Sequence, residues 1–282
     1  MTALQERRLT SSDRESFRRD VRAELVKLRT DVVPCVAVAG GVVIILVLAT
    51  LYALFAGEVQ RPEGSGLALP EMLLNVYLTG FRYGFILSVL LGITMMAGDL
   101  RQGTLLTTLV ASPRRSRVLA AKVAAAGVAG AVAGGLLLLA GLTVGVVAAT
   151  IGGHPVLLTD PDTLGTIGAA WLAHPLFAVI GVGVGSLFRK ELLAVIVALV
   201  WLLLVDGVVA GILNQTDALG TAASMLPGSV VGALSGGVEA GGGAEPLAAG
   251  AALLVLAGYA GLAWLVGAWT VARRDYSAGR DR

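Results

Sequence analysis

Two charges interrupt long apolar runs of this 282-residue chain, Arg82 and Asp206. An ionisable group at membrane depth is costly and normally faces a protein interior or a water-filled cavity. Both fall in the outer half of their runs, about 8–11 Å from the outer end at 1.5 Å per residue. The expectation is that they pair or line a path together. The competing expectation is that each snorkels separately to the outer interface. Other reactive side chains are few. His154 lies beside Pro155, His174 precedes Pro175, and Cys35 stands alone. A single cysteine makes no intrachain disulfide and no cysteine metal cluster. No G-x-x-x-x-G-K-[ST] loop occurs, so the phosphate cradle of a nucleotide-hydrolysing domain is missing. Gly181, Gly183 and Gly185 alternate with valines inside an apolar run, where packing is the expected role. Gly127, Gly130, Gly134 and Gly135 likewise resemble small-residue surfaces that let helices approach closely. Asn214-Gln215-Thr216 fits a glycosylation sequon and reads as chance. No bond chemistry, catalytic residue, metal site or cofactor is expected in this chain.

The elements that hold these residues are membrane helices. Hydrophobic residues make up 56% of the chain and charged ones 14%, against about a quarter charged in soluble domains. The mean hydropathy is +0.83. A span needs roughly 20 apolar residues, and six runs qualify, at 34–56, 75–98, 118–150, 166–188, 192–213 and 248–271. They must be helical, because lipid offers no partners for backbone amides. The third run exceeds one simple crossing, so a cytoplasmic first turn near Lys122 and an outer tail are expected. Pro175 makes the fourth run the weakest. Phe188 to Glu191 form a tight hairpin between the fourth and fifth. Tyr52, Tyr77, Trp171 and Trp269 suit interface positions. Residues 1–33 are polar and charged, unlike a cleavable signal peptide. The organisation is thus a cytoplasmic segment 1–33, a six-helix membrane domain 34–271 and a tail 272–282.

Basic residues give the orientation. All 21 except Arg61 and Arg82 lie in the N-terminal segment, between spans two and three (with Lys122 just beyond), in the 189–190 turn or in the tail. The segments 151–165 and 214–247 carry none. The positive-inside rule therefore places both termini in the cytoplasm. In the 214–247 segment a short re-entrant or interfacial helix is expected around 219–234, before a glycine-rich stretch.

Two cytoplasmic elements carry the functional signal. In 14–30, Phe17, Val21, Leu25 and Leu28 recur at helical spacing among charges. This helix is expected to lie flat in the interface with Phe17 and the leucines in lipid; the alternative is a soluble basic amphipathic tail with no specific role. In 99–117, Gly103 and Pro113 bound a short helix near 104–111. Its Leu105 and Leu109 suggest docking onto a protein partner; the alternative is an amphipathic connector lying on lipid.

The stretch Gly98-Asp99-Leu100-Arg101-Gln102-Gly103-Thr104, continued by Thr108-Leu109, Pro113, Arg117 and Ala121-Lys122, resembles the membrane subunits of ABC-2 type ABC transporters. Asp99 stands where that family often has Glu. Ala23 to Arg29 is similar to the family's first helix, Gly185 to Lys190 to its turn between spans four and five, and Arg273-Arg274-Asp275 to its ending. The resemblance implies a coupling helix at 99–112 that contacts an ABC ATP-binding subunit through Asp99, Arg101, Gly103, Thr104, Leu105, Thr108, Leu109 and Pro113. It implies a connecting helix at 14–30 with Phe17, Val21, Glu24, Leu25 and Leu28. Two permease subunits, identical or homologous, would form the pore in a bacterial cytoplasmic membrane, among its lipids and without nucleic acid. ATP and Mg would sit on the partner subunit. The function implied is export of a cargo; the apolar lining suggests a hydrophobic or amphipathic one, and a pore of small residues is equally compatible with other cargo. Two other classes remain. A secondary transporter or non-transporting membrane module would show broken helices around a midplane ion site, or internal repeats. An integral-membrane enzyme would cluster His, Asp, Glu, Ser or Cys at one depth.

Overall fold

The computed structural model describes residues 3–59, 69–102, 115–188, 190–215, 217–236 and 246–273. Among them the chain is all-helical, with no strand. Helix α1 spans Ala3–Thr30 and α2 Val32–Val59. A short α3 (Leu69–Tyr77) leads through a turn at Leu78 into α4 (Thr79–Gln102). Helix α5 (Arg115–Ile151) is followed by a 3-10 turn at Leu157–Thr159 and α6 (Pro161–Leu187). Then come α7 (Glu191–Val200), α8 (Asp206–Leu213), α9 (Asp217–Ser224), α10 (Pro227–Leu234) and α11 (Ala249–Arg273).

Six helices are long and apolar enough to cross a membrane: Val32–Phe55, Glu71–Leu100, Arg117–Ile151, Pro161–Leu187, Glu191–Leu213 and Ala249–Thr270. They coincide with the six runs read from the sequence. The chain is a multi-pass membrane protein by this measure. Helix α5 is continuous over 37 residues. At 1.5 Å per residue it is about 55 Å long, well beyond a hydrocarbon core of about 30 Å, so it protrudes as its sequence length demands.

Helix α6 lies at the centre, packed against α4, α5 and α11. Lipid-facing helices must be apolar all round, and α2 shows it: Val36, Val43, Ile44, Val47, Leu51 and Leu54 all point outward. Central helices instead carry small and polar residues. A Cβ on Gly92 of α4 would overlap the Ala178 carbonyl, and one on Gly181 of α6 would overlap the Val89 carbonyl. Only glycine permits that crossing. Gly130 and Gly134 of α5 meet α6 around His174 and Ala178 in the same way.

Pro175 does not end α6, which runs on to Leu187. Proline has no N–H for the ladder. The Trp171 Nε1–H ties this stretch to α5 by donating to the Ala131 carbonyl at 3.0 Å. At its start, Asp160 caps the helix by accepting from the Thr163 N–H (2.9 Å) and hydroxyl (2.8 Å). Span five is interrupted. At Trp201–Val205 it widens into a π turn, in which the Asp206 N–H reaches the Trp201 carbonyl. The helix expected around 219–234 is present as two short helices, α9 and α10. Val230, Val231 and Leu234 of α10 are buried in the main apolar core.

Candidate functional site

The densest polar arrangement joins α1 to the end of α4 and the start of α5. On α1, Asp20, Glu24 and Lys27 follow one another at helical spacing. Beside them Val21, Leu25 and Leu28 pack against Met95, Met96, Val118 and Leu119. The apolar stripe is therefore packed in part against protein. Val21, Leu25 and Leu28, expected in lipid, meet α4 and α5 along one side, and Leu25 and Leu28 also line a cavity beside α2. Phe17 is half-buried.

That packing brings the charges into register. Lys122, 1% exposed, donates to Asp99, to Glu24 at 2.9 Å and to the Met95 carbonyl at 3.2 Å. All three ammonium donors are thus used. Asp99, 3% exposed, holds Lys27 with its other oxygen. Further along, Arg117 Nε donates to Asp20 at 3.0 Å. Three acids and three bases from three helices form a clasp, as a Glu24–Lys122–Asp99–Lys27 chain and a separate Asp20–Arg117 pair. Buried charges persist only when paired and hydrogen-bonded in this manner. Burial, reinforced by the nearby Lys122 charge, lowers the Lys27 pKa; Glu24 and Asp31 pull it back upward. A cleft of about 130 Å³ beside the clasp is lined by Glu24, Lys27, Asp31, Asp99 and Glu191.

Asp99 was expected to face an ATP-binding subunit. In this structure its carboxylate turns inward, because Lys122 and Lys27 compensate it there. Glu24, read as a connecting-helix residue, lies on α1 and accepts from Lys122. Arg101 lies in the last turn of α4. Gly103, Thr104, Leu105, Thr108, Leu109 and Pro113, and with them the helix expected near 104–111, lie outside the described residues. The pairings Asp20–Arg117 and Lys27–Asp99 were not anticipated. The available signal was the lone Lys122 at the mouth of an apolar run, which requires an acidic partner.

Arg82 and Asp206 do not form an ion pair with each other. Arg82 Nη2 donates to Asn75 Oδ1 at 2.9 Å. Asp206, 4% exposed, accepts the Gly228 N–H at 2.9 Å, so its carboxylate sits at the first turn of α10. A second buried polar pair links α4 and α6. Ser88 Oγ and His174 Nδ1 are 2.8 Å apart, and the Phe81 ring meets the imidazole edge-on at 5.4 Å. No group of three or more His, Cys, Asp or Glu is placed to hold a metal among the described residues.

Neither a scan against protein-family models nor a search of curated proteins returned a match for this chain. The functional reading therefore rests on the clasp and on the 98–122 resemblance.

Proposed function

We propose that this chain is the membrane-spanning permease subunit of an ABC exporter, moving a cargo with ATP hydrolysed on a separate nucleotide-binding subunit. The observation that carries the reading is the clasp. It fastens α1 to α4 just before residue 103 and to α5 just after residue 114, the two helix ends that bound the proposed coupling segment. A load applied at 103–114 enters α4 and α5 together. The Glu24–Lys122–Asp99–Lys27 chain and the Asp20–Arg117 pair stiffen their junction with α1, so displacement passes to the spans. The distribution of basic residues supports placing this end in the cytoplasm, where ATP is. On this reading both termini are cytoplasmic, a second permease subunit completes the pore, and Leu105 and Leu109 supply the apolar contact to the ATPase.

The test is co-purification with an ATP-binding-cassette ATPase encoded beside this chain. The expected result is a stable complex whose ATPase rate changes when the permease is present. Leu105→Asp with Leu109→Asp should dissolve the complex while the chain still inserts. Failure of any such ATPase to bind the intact chain overturns the reading.

A further inference from the structure

We infer that the junction of α1, α2 and α5 is a binding site for one anionic phospholipid, drawn from the leaflet at the α1 end of the spans. An open cavity of about 630 Å³ lies there, within the roughly 300–1,000 Å³ typical of ligand sites. Its walls are apolar: Leu28 of α1, Val38 and Val42 of α2, Leu91 of α4, and Val132 and Leu136 of α5. Among the lining residues Arg29 is the single charged one.

Three features select the occupant. The first is length. From Pro34 to Val42 along α2, and from Val128 to Leu136 along α5, the cavity follows eight residues, or about 12 Å at 1.5 Å per residue. One leaflet of hydrocarbon is about 15 Å deep, half of a core of about 30 Å. The cavity therefore matches one acyl chain running along the membrane normal. The second is charge. Lys27 of the same helix turn is committed to Asp99, whereas Arg29 makes no ion pair among the described residues and is exposed. A guanidinium at the mouth of an apolar slot, next to the start of span one, is placed for a phosphate at headgroup level. The third is shape. A second transmembrane helix is about 10 Å across and runs the full bilayer, so it would bridge this short concavity rather than fill it, and would bring no anion to Arg29. The proposal does not depend on the exporter reading.

The test uses the purified full chain, supplied with equal amounts of phosphatidylglycerol and phosphatidylcholine and examined by native mass spectrometry. One retained phosphatidylglycerol per chain is expected. Arg29→Gln should lower the preference for phosphatidylglycerol about fivefold, the worth of one interfacial cation. Ala129→Trp fills the slot and should abolish retention of both lipids. Should that variant fail to fold, Arg29→Gln alone still decides, because its side chain is exposed and takes no part in packing. Cys35, the one cysteine of the chain, lines the same cavity and gives an independent readout. Its alkylation should be slower in phosphatidylcholine vesicles containing phosphatidylglycerol than in phosphatidylcholine alone, and this difference should vanish in Arg29→Gln. Retention without headgroup preference in the native chain, or no retained lipid, overturns the proposal. So does efficient Cys35–Cys35 cross-linking between copies, which would assign the cavity to a subunit interface.

Discussion

Replacing Lys122 by methionine removes the centre of the clasp while nearly conserving side-chain volume, so little cavity cost is added. The change strips Asp99, 3% exposed, and Glu24 of their shared cation. Removing one partner of a buried pair typically costs about 3–5 kcal/mol. Lys27 still reaches Asp99 but is 43% exposed along its side chain, so its compensation is partial and a loss of about 3 kcal/mol is expected. Asp99→Asn keeps the shape and leaves Lys122 with Glu24 and the Met95 carbonyl. The amide oxygen can still accept from one of the two lysines that Asp99 holds, so losing the other contact costs about 2 kcal/mol. The double variant removes opposite charges together and should fall about 3 kcal/mol below the native chain, not about 5 kcal/mol. The resulting coupling energy of about 2 kcal/mol lies within the usual span for directly interacting residues. Reversible unfolding of the four proteins in mixed micelles, titrated with a denaturing detergent, measures it. Additivity within about 0.5 kcal/mol, or a Lys122→Met chain as stable as the native one, would refute the view that these charges act as a unit.

Gly181→Val should prevent the α4–α6 crossing, because even a Cβ there overlaps the Val89 carbonyl; loss of folded chain on size-exclusion chromatography checks it. Gly168→Ala, by contrast, meets nothing within 4 Å and should stabilise α6 by about 0.5–1 kcal/mol, read from the same unfolding titration. Asp206→Leu should loosen α10 by removing the acceptor of the Gly228 N–H, and faster amide exchange over 228–234 reports it. At Asp160 the Thr163 hydrogen bonds lower the carboxyl pKa below its ordinary 3.8. A depressed acid contributes stability above the unfolded pKa and loses it as pH falls through the lower folded value. Faster exchange at Thr163 is therefore expected only in strong acid, whereas Asp160→Ala should show it at neutral pH.

The six spans were legible because lipid imposes a rule that acts on composition alone: about 20 apolar residues, wherever they fall. The α9–α10 region was legible in outline for the related reason that its apolar content is too short to cross. The clasp was not legible. Glu24 and Lys122 are 98 residues apart and Asp20 and Arg117 are 97 apart, and nothing local says which acid meets which base. The amphipathic stripe of α1 carried the same ambiguity, since an apolar face reads identically whether it meets lipid or the sides of α4 and α5. Arg82 and Asp206 were legible as costly charges, but the Gly228 amide that meets Asp206 and the Asn75 side chain that accepts from Arg82 carry no charge that a sequence pattern would show.

The π turn at Trp201–Val205 works as a phase setting for span five. Such a turn holds one residue more than an α-turn, so everything beyond it is rotated by about 100° relative to an unbroken helix. In the observed phase Asp206 meets α10 while Leu204, Val208 and Ile212 face outward. Deleting one residue from 201–205 would restore a regular helix, leave its apolar character almost unchanged, and swing the Asp206 carboxylate away from Gly228 toward hydrocarbon. What this stretch encodes is a residue count. Exchanging one leucine for another apolar residue leaves the count intact, and a change of length by one residue does not.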